Sequence, residues 1–207
     1  MKTTDDPTAT ILAKDGIRRR IEESVRIHQS LLLREDDIRA WAEIWTDSIR
    51  GGGHIYLFGN GGSAADAQHW ACELSGRFYL DRKPLPATAL TVNTSALTAI
   101  ANDYSYDEVF SRQLEAVARA GDVAVGISTS GNSGSVVRAL ESARRGGLIA
   151  MALTGRGGGL SRTAADHWIG VDSDDTPRVQ EGHELIGHLI CEWVERALFD
   201  EPAPREG

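Results

Sequence analysis

Apolar positions recur at helical spacing early in the chain. From about residue 17, Ile17, Ile21, Val25, Leu31 and Leu32 fall on one face at a 3.6-residue period, with Ile27 at its edge. A second stretch over residues 35–50 carries Ile38, Trp41, Ile44, Trp45 and Ile49 on one side. Gly51-Gly52-Gly53 ends it, because three glycines cannot continue a helix cheaply. The texture then changes to short apolar runs bounded by glycines and polar residues. Residues 54–58, 87–92, 122–127, 148–153 and 166–171 read as five strands. Helical segments over 64–74, 95–101, 107–118, 134–145 and 177–199 separate and follow them. Strands alternating with helices predict an α/β fold, a five-stranded parallel sheet flanked by helices, preceded by two N-terminal helices. Residues 1–14 are expected to be disordered, 15–199 to form a single domain, and 200–207 to be a flexible tail.

The chain has 207 residues, the size of one ordinary domain, and its 41% hydrophobic and 25% charged content fits a packed core. Lys plus Arg number 22 against 30 Asp plus Glu, a net charge of −8. That balance argues against a nucleic-acid partner or a membrane surface, both of which favour a basic face. No apolar run approaches the ~18 residues of a membrane span, and the start lacks the apolar core of a signal peptide. Cys72 and Cys191 read as free thiols of a cytoplasmic protein, Cys72 as a small buried side chain.

Two strand-to-helix turns are rich in small residues. Gly59-Asn60-Gly61-Gly62-Ser63 follows the first strand and Ser128-Thr129-Ser130-Gly131-Asn132-Ser133 the third. Glycines let backbone N–H groups approach a ligand, helix starts favour anions, and hydroxyls add neutral donors. Neither loop holds a lysine, so the nucleoside-triphosphate pattern is absent and a phosphate monoester on a small molecule suits the cradle better. The competing reading is that both are ordinary turns and caps. In parallel sheets, ligands bind where such loops leave the carboxyl ends of the strands.

His69 and Glu73 lie four residues apart, on one face of the helix after the first loop. The last helix carries Gln180, Glu181, His183, Glu184 and His188. Gln180 and His188 lie about 80° apart around it, His183 and His188 about 140°, so the two histidines serve different sites; the spacing does not choose between them. A base and an acid beside a phosphate cradle suggest proton transfer on a sugar phosphate. The same groups could hold a divalent metal, zinc by chemistry, while a plain surface pair is the bland alternative for His69 and Glu73. Trp70 and Trp193 read as core or interface packing.

These residues carry a resemblance. Asp66-Ala67-Gln68-His69, Glu73-Leu74-Ser75-Gly76-Arg77, Ala101-Asn102-Asp103, Tyr106-Asp107, Val109-Phe110-Ser111-Arg112, Leu153-Thr154-Gly155 and Arg178-Val179-Gln180-Glu181, with both loops, resemble the phosphoheptose isomerases of the sugar isomerase (SIS) fold over about residues 15–198. The resemblance implies a three-layer SIS sandwich and exchange of sedoheptulose 7-phosphate with a D-glycero-D-heptose 7-phosphate, the manno aldose being expected. It implies Glu73 and His188 as the acid–base pair. Asn60, Gly61, Gly62, Ser63, Glu73, Asn102, Asp103, Ser128, Thr129, Ser130, Ser133 and Gln180 would bind substrate. His69, Glu73, Gln180 and His188 would hold one zinc per subunit, and the enzyme would be a homotetramer. Two segments depart from the expected pattern: the glycine-rich residues 155–159, read as a mobile loop, and the acidic residues 172–177. The alternatives are a non-catalytic SIS protein that binds a replication initiator, a sugar-phosphate sensor, and an isomerase making another heptose 7-phosphate stereoisomer.

Overall fold

In the computed structural model, which describes residues 11–200, the alternating pattern folds as a parallel sheet between two helical layers. The expectations for residues 1–10 and 201–207 lie outside the described residues; residues 11–15 form turns leading into the first helix. The strands are β1 (Ile55–Gly59), β2 (Ala87–Ala89), β3 (Val123–Ser128), β4 (Ile149–Thr154) and β5 (His167–Gly170). The helices are α1 (Gly16–Ser30), α2 (Glu35–Arg50), α3 (Gly62–Ser75), α4 (Thr94–Asp103), α5 (Ser111–Val117), α6 (Gly134–Arg145), α7 (Gly159–Ala164) and α8 (Thr176–Phe199). The strand order is β2-β1-β3-β4-β5, all parallel.

The pleat sends alternate residues to opposite faces, and both faces are covered. Ile55, Leu57, Val125 and Ile127 join Trp41, Trp45, Trp70, Ile186 and Ile190 from α2, α3 and α8. Tyr56, Phe58 and Ala124 join Phe110, Leu114, Val136 and Leu140 on the other side. The chain turns back between β1 and β3 to build the other half of the sheet. By the rule for open α/β sheets, that reversal leaves a crevice at their carboxyl ends. Gly59 of β1 pairs with Ile127 of β3, so the two small-residue loops emerge side by side at that crevice.

Several expectations change. The strand expected over 87–92 ends at Ala89. Beyond one further bond, Leu90 N–H to the Leu57 carbonyl, the backbone turns so that Asn93 caps α4 by accepting the Ala96 N–H. The helix expected over 107–118 is split into a 3-10 turn (Tyr106–Glu108) and α5, because Val109 and Phe110 both insert into the second core. The glycine-rich segment opens a short helix, α7, that the pattern did not predict. Cys72 is exposed rather than buried, and both cysteines are free. The apolar face of α1 is only partly a core face. Leu31 is buried and Ile27 packs on the core, whereas Ile17, Ile21, Val25 and Leu32 are between 48% and 74% exposed.

Candidate active site

The two loops are joined by one asparagine. Asn60 Nδ2 donates to Ser133 Oγ at 2.8 Å and to Ser135 Oγ at 3.1 Å, while its Oδ1 accepts the Tyr106 hydroxyl at 2.7 Å. Its Nδ2 thus ties the β1–α3 loop to the β3–α6 loop, and its Oδ1 ties it to Tyr106. Ser63 is buried under the first loop, against Gly59. In the second loop Ser128 is buried, Thr129 and Ser133 are half-buried, and Ser130 is exposed. Gly131 is left-handed (φ 67°), and a Cβ there would collide with the Gly158 carbonyl. That close approach docks the glycine-rich segment on the second loop: Ser161 N–H donates to the Gly131 carbonyl at 2.8 Å and Leu160 N–H to Asn132 Oδ1 at 3.1 Å. Asn102 and Asp103 are exposed at the end of α4, Asn102 Nδ2 donating to Asp103 Oδ1.

A second constellation lies where α3 faces α8. His69 Nε2 is 3.1 Å from Glu73 Oε1 and 3.5 Å from His188 Nε2. The two imidazoles meet edge to face, centroids 5.0 Å apart, and Phe78 lies 5.7 Å from the His188 ring. Glu73 and His188, distant in sequence, therefore converge on one nitrogen. His183 is elsewhere: fully buried, its Nε2 is 3.0 Å from the Thr154 carbonyl, and burial pushes its pKa down to about 4 although that bond opposes the shift. Gln180 links the constellations. A Cβ on Gly62 would overlap its amide, so it rests on the first loop, two turns before His188 along α8. No hydrogen bond joins Gln180 to His69, Glu73 or His188 among the described residues.

Two acids at this place were not given a role by sequence pattern. Glu184 Oε1 sits 2.6 Å from His69 Nδ1 and 3.2 Å from His188 Nε2. The i,i+4 rule that paired His69 with Glu73 also pairs Glu184 with His188 and could have found it. Asp66 is one turn before His69, with a buried oxygen that lacks a partner. Its pKa is raised to about 7 by burial and then by the neighbouring Glu184 charge, against the pull of His69.

Imidazole nitrogens and carboxylate oxygens are zinc donors, and this cluster offers two carboxylates beside the histidines, Glu73 and Glu184. His69, Glu184 and His188 have ligand atoms within 4.8 Å of one another. The separations of 3.1 and 3.5 Å about His69 Nε2 are close to the edge, roughly 3.3 Å, of a tetrahedron with bonds of about 2.0–2.1 Å.

Residues 21–155 match the family model described as the SIS domain. A phosphoheptose isomerase of Akkermansia muciniphila is 55% identical over 163 residues, covering 79% of this chain and 86% of the relative. One from Aneurinibacillus thermoaerophilus is 48% identical over 188 residues, 89% and 95% of the two chains. Among solved structures, phosphoheptose isomerase from Neisseria gonorrhoeae superposes with a TM-score of 0.82 at 42% identity, covering 86% of this chain and 96% of that one. Matched by the SIS domain model over residues 21–155 and by such relatives over most of its length, the chain belongs to the phosphoheptose isomerases of the SIS domain family.

Proposed function

We propose that this chain interconverts sedoheptulose 7-phosphate and D-glycero-D-manno-heptose 7-phosphate through a cis-enediol. The observation that carries the reading is the convergence of Glu73 and His188 on His69, on helices that also border the lysine-free loops. The phosphate would lie against Ser128, Thr129, Ser130 and Ser133. Asn60, Gly61, Gly62, Ser63, Asn102, Asp103 and Gln180 would hold the sugar chain, Asn60 and Ser63 also setting the shape of the first loop. The carbonyl end would lie between α3 and α8.

The exchange moves one proton between C1 and C2 and one between their oxygens. Glu73 takes the carbon proton from one carbon and returns it to the other face-adjacent carbon, while His188 relays the proton between O1 and O2. Both leave each cycle in the state in which they began it. A zinc held by His69, Glu73, Gln180 and His188 would supply Lewis acidity toward the carbonyl oxygen. The presence of both Glu73 and His188 favours an enzyme over a non-catalytic initiator-binding relative.

The same reading makes the enzyme a cytoplasmic homotetramer. Its support is apolar surface: the outward face of α1, and a groove of about 330 Å³ lined by Leu31, Leu32, Ile38, Leu185, Leu189 and Trp193. No helix among the described residues is long and apolar enough to cross a membrane.

The test is incubation with sedoheptulose 7-phosphate in D2O, followed by NMR at C1 and C2. Aldose anomeric signals and deuterium at C2 are expected, with couplings that identify the manno configuration. An unchanged ketose without exchange at C1 rejects the isomerase reading; another aldose rejects only the stereochemistry.

A further inference from the structure

We propose that Glu184 is a positioning residue that fixes the ring of His69 for metal binding, an assignment that rests on the zinc reading above. Its Oε1 forms an ion-pair contact with His69 Nδ1 at 2.6 Å, shorter than the 3.1 Å between Glu73 Oε1 and Nε2, so we place the ring proton on Nδ1 beside the closer carboxylate. That contact favours the Nδ1–H tautomer. The other nitrogen, Nε2, is then bare, and it is the one directed at Glu73 Oε1 and His188 Nε2. A carboxylate behind a histidine in this way orients the ring and raises its basicity toward a metal. The same Oε1 lies 3.2 Å from His188 Nε2, so this carboxylate borders both histidines of the cluster.

Glu184 is itself held. Trp70 Nε1 donates to its Oε2 at 3.3 Å. Trp70 is buried between α3 and α8, and it reaches this position because residue 187 is glycine: any Cβ there would overlap the indole. The order of support therefore runs from Gly187 to Trp70, to Glu184, to His69. Asp66 does not share the task, since its buried oxygen makes no hydrogen bond.

Zinc affinity of metal-stripped full-length protein, measured by competition with a chromophoric chelator, tests the assignment in E184L and E184Q. E184L should bind zinc about 10–100-fold more weakly, as for other outer carboxylates. E184Q keeps an acceptor without the charge and should fall between. Long-range 15N–1H spectra of the metal-free protein, at a pH where the ring carries one proton, should show His69 protonated at Nδ1 in the parent and a mixture in E184L. Melting of the metal-free variants controls for folding, and if E184L does not fold, E184Q decides. Parental zinc affinity in either folded variant overturns the assignment, as does an unchanged tautomer in E184L. A loss beyond roughly 1,000-fold with the tautomer intact also overturns it, because the carboxylate would then be a ligand outright. A parent protein that takes up no zinc defeats the metal reading and this role together. Failure to turn over sedoheptulose 7-phosphate, with the zinc results as expected, counts against the isomerase reading alone.

Discussion

Glu73 and His188 illustrate what a side chain can do only when two helices bring it to a partner. Glu73→Gln keeps the size and an acceptor oxygen but removes the proposed base, and His188→Gln removes the proposed proton relay. Each should lower turnover by about 10²–10⁴-fold, the range for positioned acid–base groups, while circular dichroism stays unchanged. Near-normal turnover in Glu73→Gln would remove its catalytic assignment. His183, on the same helix as His188, behaves in the opposite way. The folded protein holds its pKa at about 4 by burial, against an ordinary value of 6.5 in the unfolded chain. The unfolded chain takes up the proton first. The contribution is therefore whole above pH 6.5 and disappears as pH falls through 4, amounting to about 3 kcal/mol. Urea melts across pH 4 to 6.5 should lose up to one proton of pH dependence in His183→Gln. At this scale the sequence was readable where partners sit one turn apart, as His69 and Glu73 do. It was silent on contacts between helices: nothing local says that Glu184 meets a histidine 115 positions earlier, nor that His183 is capped by a strand carbonyl.

Between β2 and the end of α3, a buried ion pair organises an element with no regular structure. Glu195 of α8 is fully buried and accepts the N–H groups of Phe78, Tyr79 and Leu80 and the Nε of Arg82. Burial alone would raise its pKa, but these donors hold it below the ordinary carboxylate range. Arg82 in turn donates to the carbonyls of Glu73, Leu74 and Gly76, the open end of α3. The pair thus ties the loop to the helix that carries His69 and Glu73, and it sets Phe78 beside His188. Removing one partner leaves the other charge buried, so Glu195→Gln should cost about 3–5 kcal/mol in thermal or urea melts. A loss under about 1 kcal/mol would mean that the loop is held by something else. The contribution of Glu195 is present above ordinary carboxylate pKa values and lost as pH falls through its lowered one. Legibility at this scale followed element type. Apolar runs bounded by glycines and polar residues located the strands, and the 3.6 period located α1 and α2. Residues 155–159 concealed α7 because their glycines serve a close approach to the second loop, which composition alone reads as looseness.

For the whole molecule, the unfinished business is the outer face of α1 and the groove beside α8. α1 meets α8 through Ile27, which packs on Gly182, and through His28, whose Nε2 is 3.4 Å from the Glu181 carbonyl. Arg178 adds a bond to the Arg20 carbonyl at 3.1 Å. These contacts fix the helix through Ile27 and two polar bonds and leave Ile17, Ile21 and Val25 exposed, with Leu32 and Leu33 exposed beyond them. Exposed apolar surface of this kind marks association sites, and the proposed tetramer would cover it. The stripe and the groove lie on neighbouring elements of one chain, so copies of this chain can satisfy both in a closed assembly. Ile21→Glu and Leu32→Glu place a charge in each region without touching the sheet or the His–Glu–His cluster. In sedimentation velocity the parent should run as a tetramer, and each variant should shift toward smaller species that re-form as concentration rises. A parent that sediments as a monomer at all concentrations would leave the stripe without this explanation. Tetramers unaffected by either charge would place the interface on another face of the fold.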